Sequence, residues 1–147
     1  MIELIFVIVV LGILAAVAIP KFAASRDDAY VAKAKSTVAA VRSGIVNERQ
    51  SRLFRGDNTY INKLDHQVNT PGAGVTIFDN NGSSANSIMM YGVTTANKSG
   101  SWMKTNNNEY TIKINGFSNN AVFDYNSSNG TFTCTRLGGD LCGVLSN

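Results

Sequence analysis

The reading turns on the N-terminal stretch Met1–Phe22, MIELIFVIVVLGILAAVAIPKF. From Leu4 through Ile19 it is sixteen consecutive apolar or glycine positions. Twenty helical residues reach about 30 Å, the thickness of a bilayer core. A helix also satisfies its backbone polar groups internally, as hydrocarbon requires. A cleavable secretory signal would need a basic region ahead of the apolar run and a small-residue cleavage site behind it. No basic residue precedes Leu4, and Pro20-Lys21-Phe22 is a poor cleavage site. A core helix apolar on all faces would need more protein around it than a 147-residue chain offers. The stretch predicts a retained membrane span.

Three residues inside it stand out. Glu3 places a carboxylate at the edge of the apolar run, where the helix dipole contributes about 0.3–1 kcal/mol in its favour. A cationic partner, on another copy of the chain, would do more. Gly12 and Pro20 cost about 1 and 3 kcal/mol in a helix interior, and they bracket the weakest stretch of the predicted helix.

After Pro20 the pattern becomes amphipathic. Tyr30, Ala34, Val38, Val41 and Ile45 recur at helical spacing as one apolar stripe. Arg26, Lys33, Arg42 and Glu48 are read onto the opposite side, with Glu48 and Arg52 as an i,i+4 pair. Gly56 is the expected C-terminal cap. The expectation is one helix of about fifty residues, about 75 Å long. Its parts are an apolar half over residues 1–20 and an amphipathic half over 21–55, followed by a head over 56–147.

Composition agrees with that division. The chain carries a net charge of +3 and 44% hydrophobic residues. Those values exclude a disordered chain, a polycationic nucleic-acid binder and a multidomain enzyme. Residues 21–55 hold a net +5 while the segments on either side are each −1, and 16 of the 17 asparagines lie from Gly56 onward.

The head reads as short strands between turns: Val75–Phe78, Ser87–Val93, Tyr110–Ile114, Ala121–Tyr125 and Thr131–Arg136. Asn129-Gly130 marks a hairpin between the last two. The fold class is α+β, an antiparallel sheet with one face covered by the amphipathic half of the helix. Gly56–Gly74 reads as a long connection with weak local order. Cys134 and Cys142 are the only cysteines, and a membrane-tethered head in an oxidising compartment would join them. Closing that nine-residue loop contributes about 2.5 kcal/mol.

No catalytic constellation is present, and the chain reads as a non-enzyme. There is one histidine, His66, and no nucleophile elbow, metal-ligand spacing or phosphate loop. Asp57, Asp65 and Asp79 read as solvent-facing or turn acids, and no cofactor or metal is implied. Tyr30, Phe54, Tyr60, Tyr91, Trp102, Tyr110 and Tyr125 read as core aromatics. Asn81 and Asn126 each fall in an acid-x-Asn-x-Ser pattern at an expected turn, which makes them candidate glycosylation acceptors.

The first 22 residues closely resemble the N-terminus of type IV pilins and the related type II secretion pseudopilins. The resemblance rests on an early glutamate, an unbroken apolar run, Gly12 and Pro20 at the family's separation, and then Lys21. Over the other 125 residues it is architectural only. The resemblance implies removal of a leader by a prepilin peptidase, N-methylation, and handling by pilus assembly machinery. Glutamate is usually fifth in the mature family protein and is third here, implying two mature residues and a leader before Met1. By the same resemblance, Glu3 guides docking by pairing with a neighbour's amino terminus. Gly12 to Pro20 lose helical structure in the filament, and Cys134 and Cys142 bound an exposed variable loop. The implied function is a major pilin, a homopolymer that passes from an inner-membrane pool into an extracellular surface filament for adhesion, motility or DNA uptake. DNA or surface ligands are implied partners, with Lys33, Lys35 and Arg42 as candidate DNA contacts. The alternatives are a secretion pseudopilin, which would carry a calcium loop in place of the terminal disulfide, and a monomeric membrane-tethered binding module.

Overall fold

A computed structural model describes residues 2–66, 72–79, 88–135 and 140–146, the side chains of residues 23 and 24 excepted. The fold is α+β. Helix α1 spans Ile2–Phe54, 53 residues and about 80 Å, and runs unbroken through Pro20. It ends at Gly56, whose φ of 82° no branched residue would adopt cheaply. The Gly56 amide donates to the Leu53 carbonyl and the Asp57 amide reaches back to Arg52, which together form a Schellman cap.

The remaining elements are β1 (Thr76–Ile77), β2 (Val93–Thr94), β3 (Ser101–Asn106), β4 (Glu109–Lys113), β5 (Ala121–Asn126), β6 (Thr131–Cys134) and helix α2 (Asp140–Ser146). Strands β3 to β6 form an antiparallel meander in chain order, and β1 pairs with β2 separately. Trp102 faces Ile112, Tyr110 faces Phe123 and Tyr125 faces Phe132 across the sheet. The buried side chains of β3–β6 meet Ala34, Val38, Val41 and Ile45 of α1 in one cluster. Within it the Phe123 and Phe132 rings stack at 5.1 Å, and Trp102 meets Phe123 edge-on at 5.6 Å. Gly44 lies so close to the Ile88 carbonyl that any Cβ there would collide with it.

Both edges of the sheet make hydrogen bonds beyond the ladder. On β3 the carbonyls of Trp102 and Lys104 accept hydrogen bonds from the Ala96 and Gly72 amides. On β6 the Phe132 carbonyl accepts one from Arg42 Nε at 3.2 Å.

Several expectations are corrected. Strand β3 was not anticipated: its inward positions are Trp102 and Lys104, and a lysine in the core breaks the apolar alternation. Of the expected Ser87–Val93 strand, only Val93 among the described residues is regular strand, in β2, and Met90 and Tyr91 are exposed. The tail after Cys134, expected from its Gly-Gly-Asp segment to have too little apolar content to hold itself down, instead buries Leu141 and Leu145 of α2. Glu48 lies on the buried side of α1 with Val41 and Ile45, not opposite them. Phe54 is 91% exposed and belongs to no core. The Gly56–Gly74 connection lacks regular structure over its described residues, yet Ile61, Leu64 and Asp65 are buried, and the Ile61 carbonyl accepts from Tyr125 OH at 2.8 Å.

Candidate functional site

The outward surface of α1 is the candidate site. None of the apolar window near its N-terminus is buried, and by length and composition the helix can cross a membrane. Fourteen large apolar side chains from Ile2 to Phe22 are exposed. Withdrawing them from water is worth on the order of 20 kcal/mol, more than the 5–15 kcal/mol that holds a typical domain together. This segment therefore has to be covered by lipid or protein.

A second pattern, not anticipated from the sequence, continues past this apolar stem, residues 2–22. Leu4, Ile8, Leu11, Ala15, Ala18, Phe22, Ser25, Ala29, Ala32, Ser36, Ala39, Ser43, Val46, Gln50 and Leu53 alternate at spacings of four and three without a charged residue. All are exposed except half-buried Ala18. This is a 3.5-residue repeat, which drifts about 20° per heptad on a straight helix and stays on one line in a left-handed supercoil. Its small residues allow close approach of another helix. The core-facing stripe of Ala34, Val38, Val41 and Ile45 occupies the opposite side of the same helix. Beside the outward stripe, Ser43 also borders a groove of about 400 Å³ formed with Ile88–Tyr91, where Met90 and Tyr91 are 81% and 78% exposed.

The anticipated site residues are placed as follows. Glu3 is exposed in the first turn of α1. Gly12 has open space around it and Pro20 is exposed within the continuous helix. Cys134 and Cys142 form a disulfide that joins β6 to α2. Asn126 is exposed at the end of β5, its side-chain oxygen accepting from the Ser128 amide at 2.9 Å. The pattern around it is not wholly a turn, because Tyr125 is buried in the strand. Asn81 lies outside the described residues. Lys33 and Lys35 are exposed, whereas Arg42 is half-buried and holds the Phe132 carbonyl.

Of the acids, Asp57 stands as expected and Asp65 does not. Asp57 is a turn acid: the Thr59 amide and hydroxyl hydrogen-bond to it, with help from Arg52, and hold its carboxyl below the usual range. Asp79 Oδ2 is 2.7 Å from His66 Nδ1. Asp65 is fully buried; its Oδ1 accepts from Lys104 Nζ at 2.7 Å and its Oδ2 from the Tyr110 hydroxyl at 2.6 Å. The Lys104 side chain is equally buried. Removing such an ion pair from water costs several kcal/mol per ion before attraction offsets it. Burial, then the charge of Asp65, pushes the Tyr110 phenol far above its ordinary value, so it stays a donor. Phe78 covers this cluster, its ring 4.7 Å from that of Tyr110, while its own backbone sits at a φ of 58° that costs about 1–2 kcal/mol. A lysine inside an otherwise strand-like run, Ser101–Asn106, is the one signal that could have exposed this cluster.

No protein-family model, curated protein or solved structure matches this chain.

Proposed function

We propose that the chain is a structural subunit of the type IV pilin kind. A bacterial inner membrane holds it by its stem, and it polymerises with copies of itself into a helical surface filament. The observation that carries this reading is the uncharged outward stripe. A bilayer covers about twenty helical residues, but the stripe continues from Ser25 to Leu53, about 40 Å further. Lipid can account for the stem alone. A second helix of the same kind accounts for the stem and the stripe together, and a repeated head-to-tail contact generates an open helix of subunits. The Cys134–Cys142 bridge favours the pilin branch over the secretion pseudopilin. Glu3 then pairs with a cation of a neighbouring copy. Adhesion, motility and DNA uptake are the roles open to such a filament.

The test is Ser36→Glu combined with Ser43→Glu, both exposed on the outward stripe. The double variant is expected to reach the membrane and melt like the parent, while losing the fraction released from cells by shearing. Undiminished release would show that the stripe is not the seam. A parent protein that stays in the membrane fraction and is monomeric in detergent would favour the tethered module instead. Glu3→Ala is expected to retain membrane insertion and lower only the sheared fraction.

A further inference from the structure

The filament reading leaves the buried Asp65, Lys104 and Tyr110 unused, and the inference that follows is independent of it. We propose that Asp65 and Lys104 become joined by an intramolecular isopeptide bond, with Tyr110 assisting as hydrogen-bond donor to the reacting carboxyl. The reacting amine and carboxyl are already in contact, Nζ 2.7 Å from Oδ1, with both side chains wholly buried. Holding two reactants in place removes the entropic cost of bringing them together. Their burial also excludes the bulk water that would favour hydrolysis. The third group sits on the other oxygen: Tyr110 donates to Oδ2 at 2.6 Å.

The chemistry balances without any added reagent. One proton passes from Nζ to Oδ1 along their hydrogen bond, which frees the nitrogen lone pair. The Nζ lone pair attacks Cγ, and negative charge develops on Oδ2, where the Tyr110 hydroxyl is aimed. A second proton leaves the nitrogen for Oδ1. The Cγ–Oδ1 bond breaks, water departs, and an amide N–H remains. Nothing is oxidised or reduced. Burial keeps the Tyr110 phenol protonated throughout. The new bond would tie the segment after α1 to strand β3 across 39 residues of chain, beside a core already closed by Phe78, Trp102 and Phe132.

The experiment is mass spectrometry on the full chain, purified in detergent and incubated folded at neutral pH. The intact protein is expected to be lighter by one water than its disulfide-bonded sequence mass. After reduction and trypsin, Leu64–Lys98 should appear covalently attached to Ser99–Lys113, because an acylated Lys104 is no longer cleaved. Lys104→Arg should restore the full mass, and Tyr110→Phe, which keeps the ring, should lower the crosslinked fraction at least tenfold at equal times. An intact mass without the loss overturns the proposal. So does a water loss that maps within one peptide, which is dehydration at a single acid. Equal crosslinking in Tyr110→Phe overturns the part assigned to the phenol.

Discussion

Residues 2–22 and 30–54 belong to the same uninterrupted helix, yet they solve opposite problems. In the first stretch the apolar side chains point in every direction and none meets the head. In the second, apolar residues on one side enter the core, while the other side carries alanine, serine and scattered larger side chains without charge. Helical backbone is common to both; what differs is who completes the burial. The second stretch, the lower half, is completed by its own chain, through Phe132, Trp102, Leu141 and their neighbours, in contrast to the upper half at residues 2–22. The upper half requires something outside the chain. Intrinsic helix propensity cannot be what distinguishes them, since Pro20 and Gly12 fall in the half that has no packing to support it.

The sharpest way to break this contrast is one substitution made in both halves. Val41→Asp puts an unpaired carboxylate where nothing is exposed and costs more than about 4 kcal/mol; the head should fail to show a cooperative melt. Val9→Asp, at an exposed position, should leave the head's melt unchanged. Its effect should fall on membrane retention, by about 2.5–3.5 kcal/mol if the site lies near mid-bilayer. If both variants melted alike, the two halves would not be independent.

Reducing the Cys134–Cys142 bridge should cost the head about 2.5 kcal/mol by loss of loop closure. Chemical denaturation with and without reductant measures it, and the stem's membrane partition should not change.

A smaller effect is expected in alkali. Burial pushes the Tyr125 phenol up to about 12, with the nearby Arg52 opposing the shift, and pushes Tyr110 further. A folded-state value raised above the unfolded one contributes stability that is intact below about pH 10. That contribution drains away as pH rises from there toward about 12. Near-ultraviolet dichroism of the head should therefore collapse in this window, and a Tyr125→Phe variant should lose less between pH 10 and 12.

The smallest effect is Gly12→Ala, where a methyl group meets open space. It should stabilise the stem helix by about 1 kcal/mol, slow amide exchange around residue 12, and leave the head untouched.

Much of this arrangement was legible because it follows repeating patterns. The apolar run of Leu4–Ile19, the Tyr30-to-Ile45 stripe, the Gly56 cap and the Asn129-Gly130 hairpin each carry a local rule, and each stands in the structure. What escaped was polar residues used against type. Lys104 on an inward strand position hid β3, and Asp65 read as a surface acid because its partner lies 39 residues away. Glu48 read as a solvent-facing charge but is buried and paired with Arg52 and the exposed Arg55. Helix α2 was missed because two leucines in a glycine-rich tail become a core element only once α1, β5 and β6 provide the surface beneath them. The outward stripe lay within the sequence at constant spacing. Its serines and alanines look unremarkable until the core-facing side of the helix has been assigned.

The blocked margins of the four-stranded sheet limit how copies can join. An open strand edge is the usual template on which one chain recruits the next, and proteins guard against it. Here the backbone of loop residues occupies one margin and a guanidinium the other. Recruitment by ribbon extension, the route toward amyloid-type stacking, would have to break these hydrogen bonds first. A head meeting a second copy at either margin would thus find hydrogen bonds already made there.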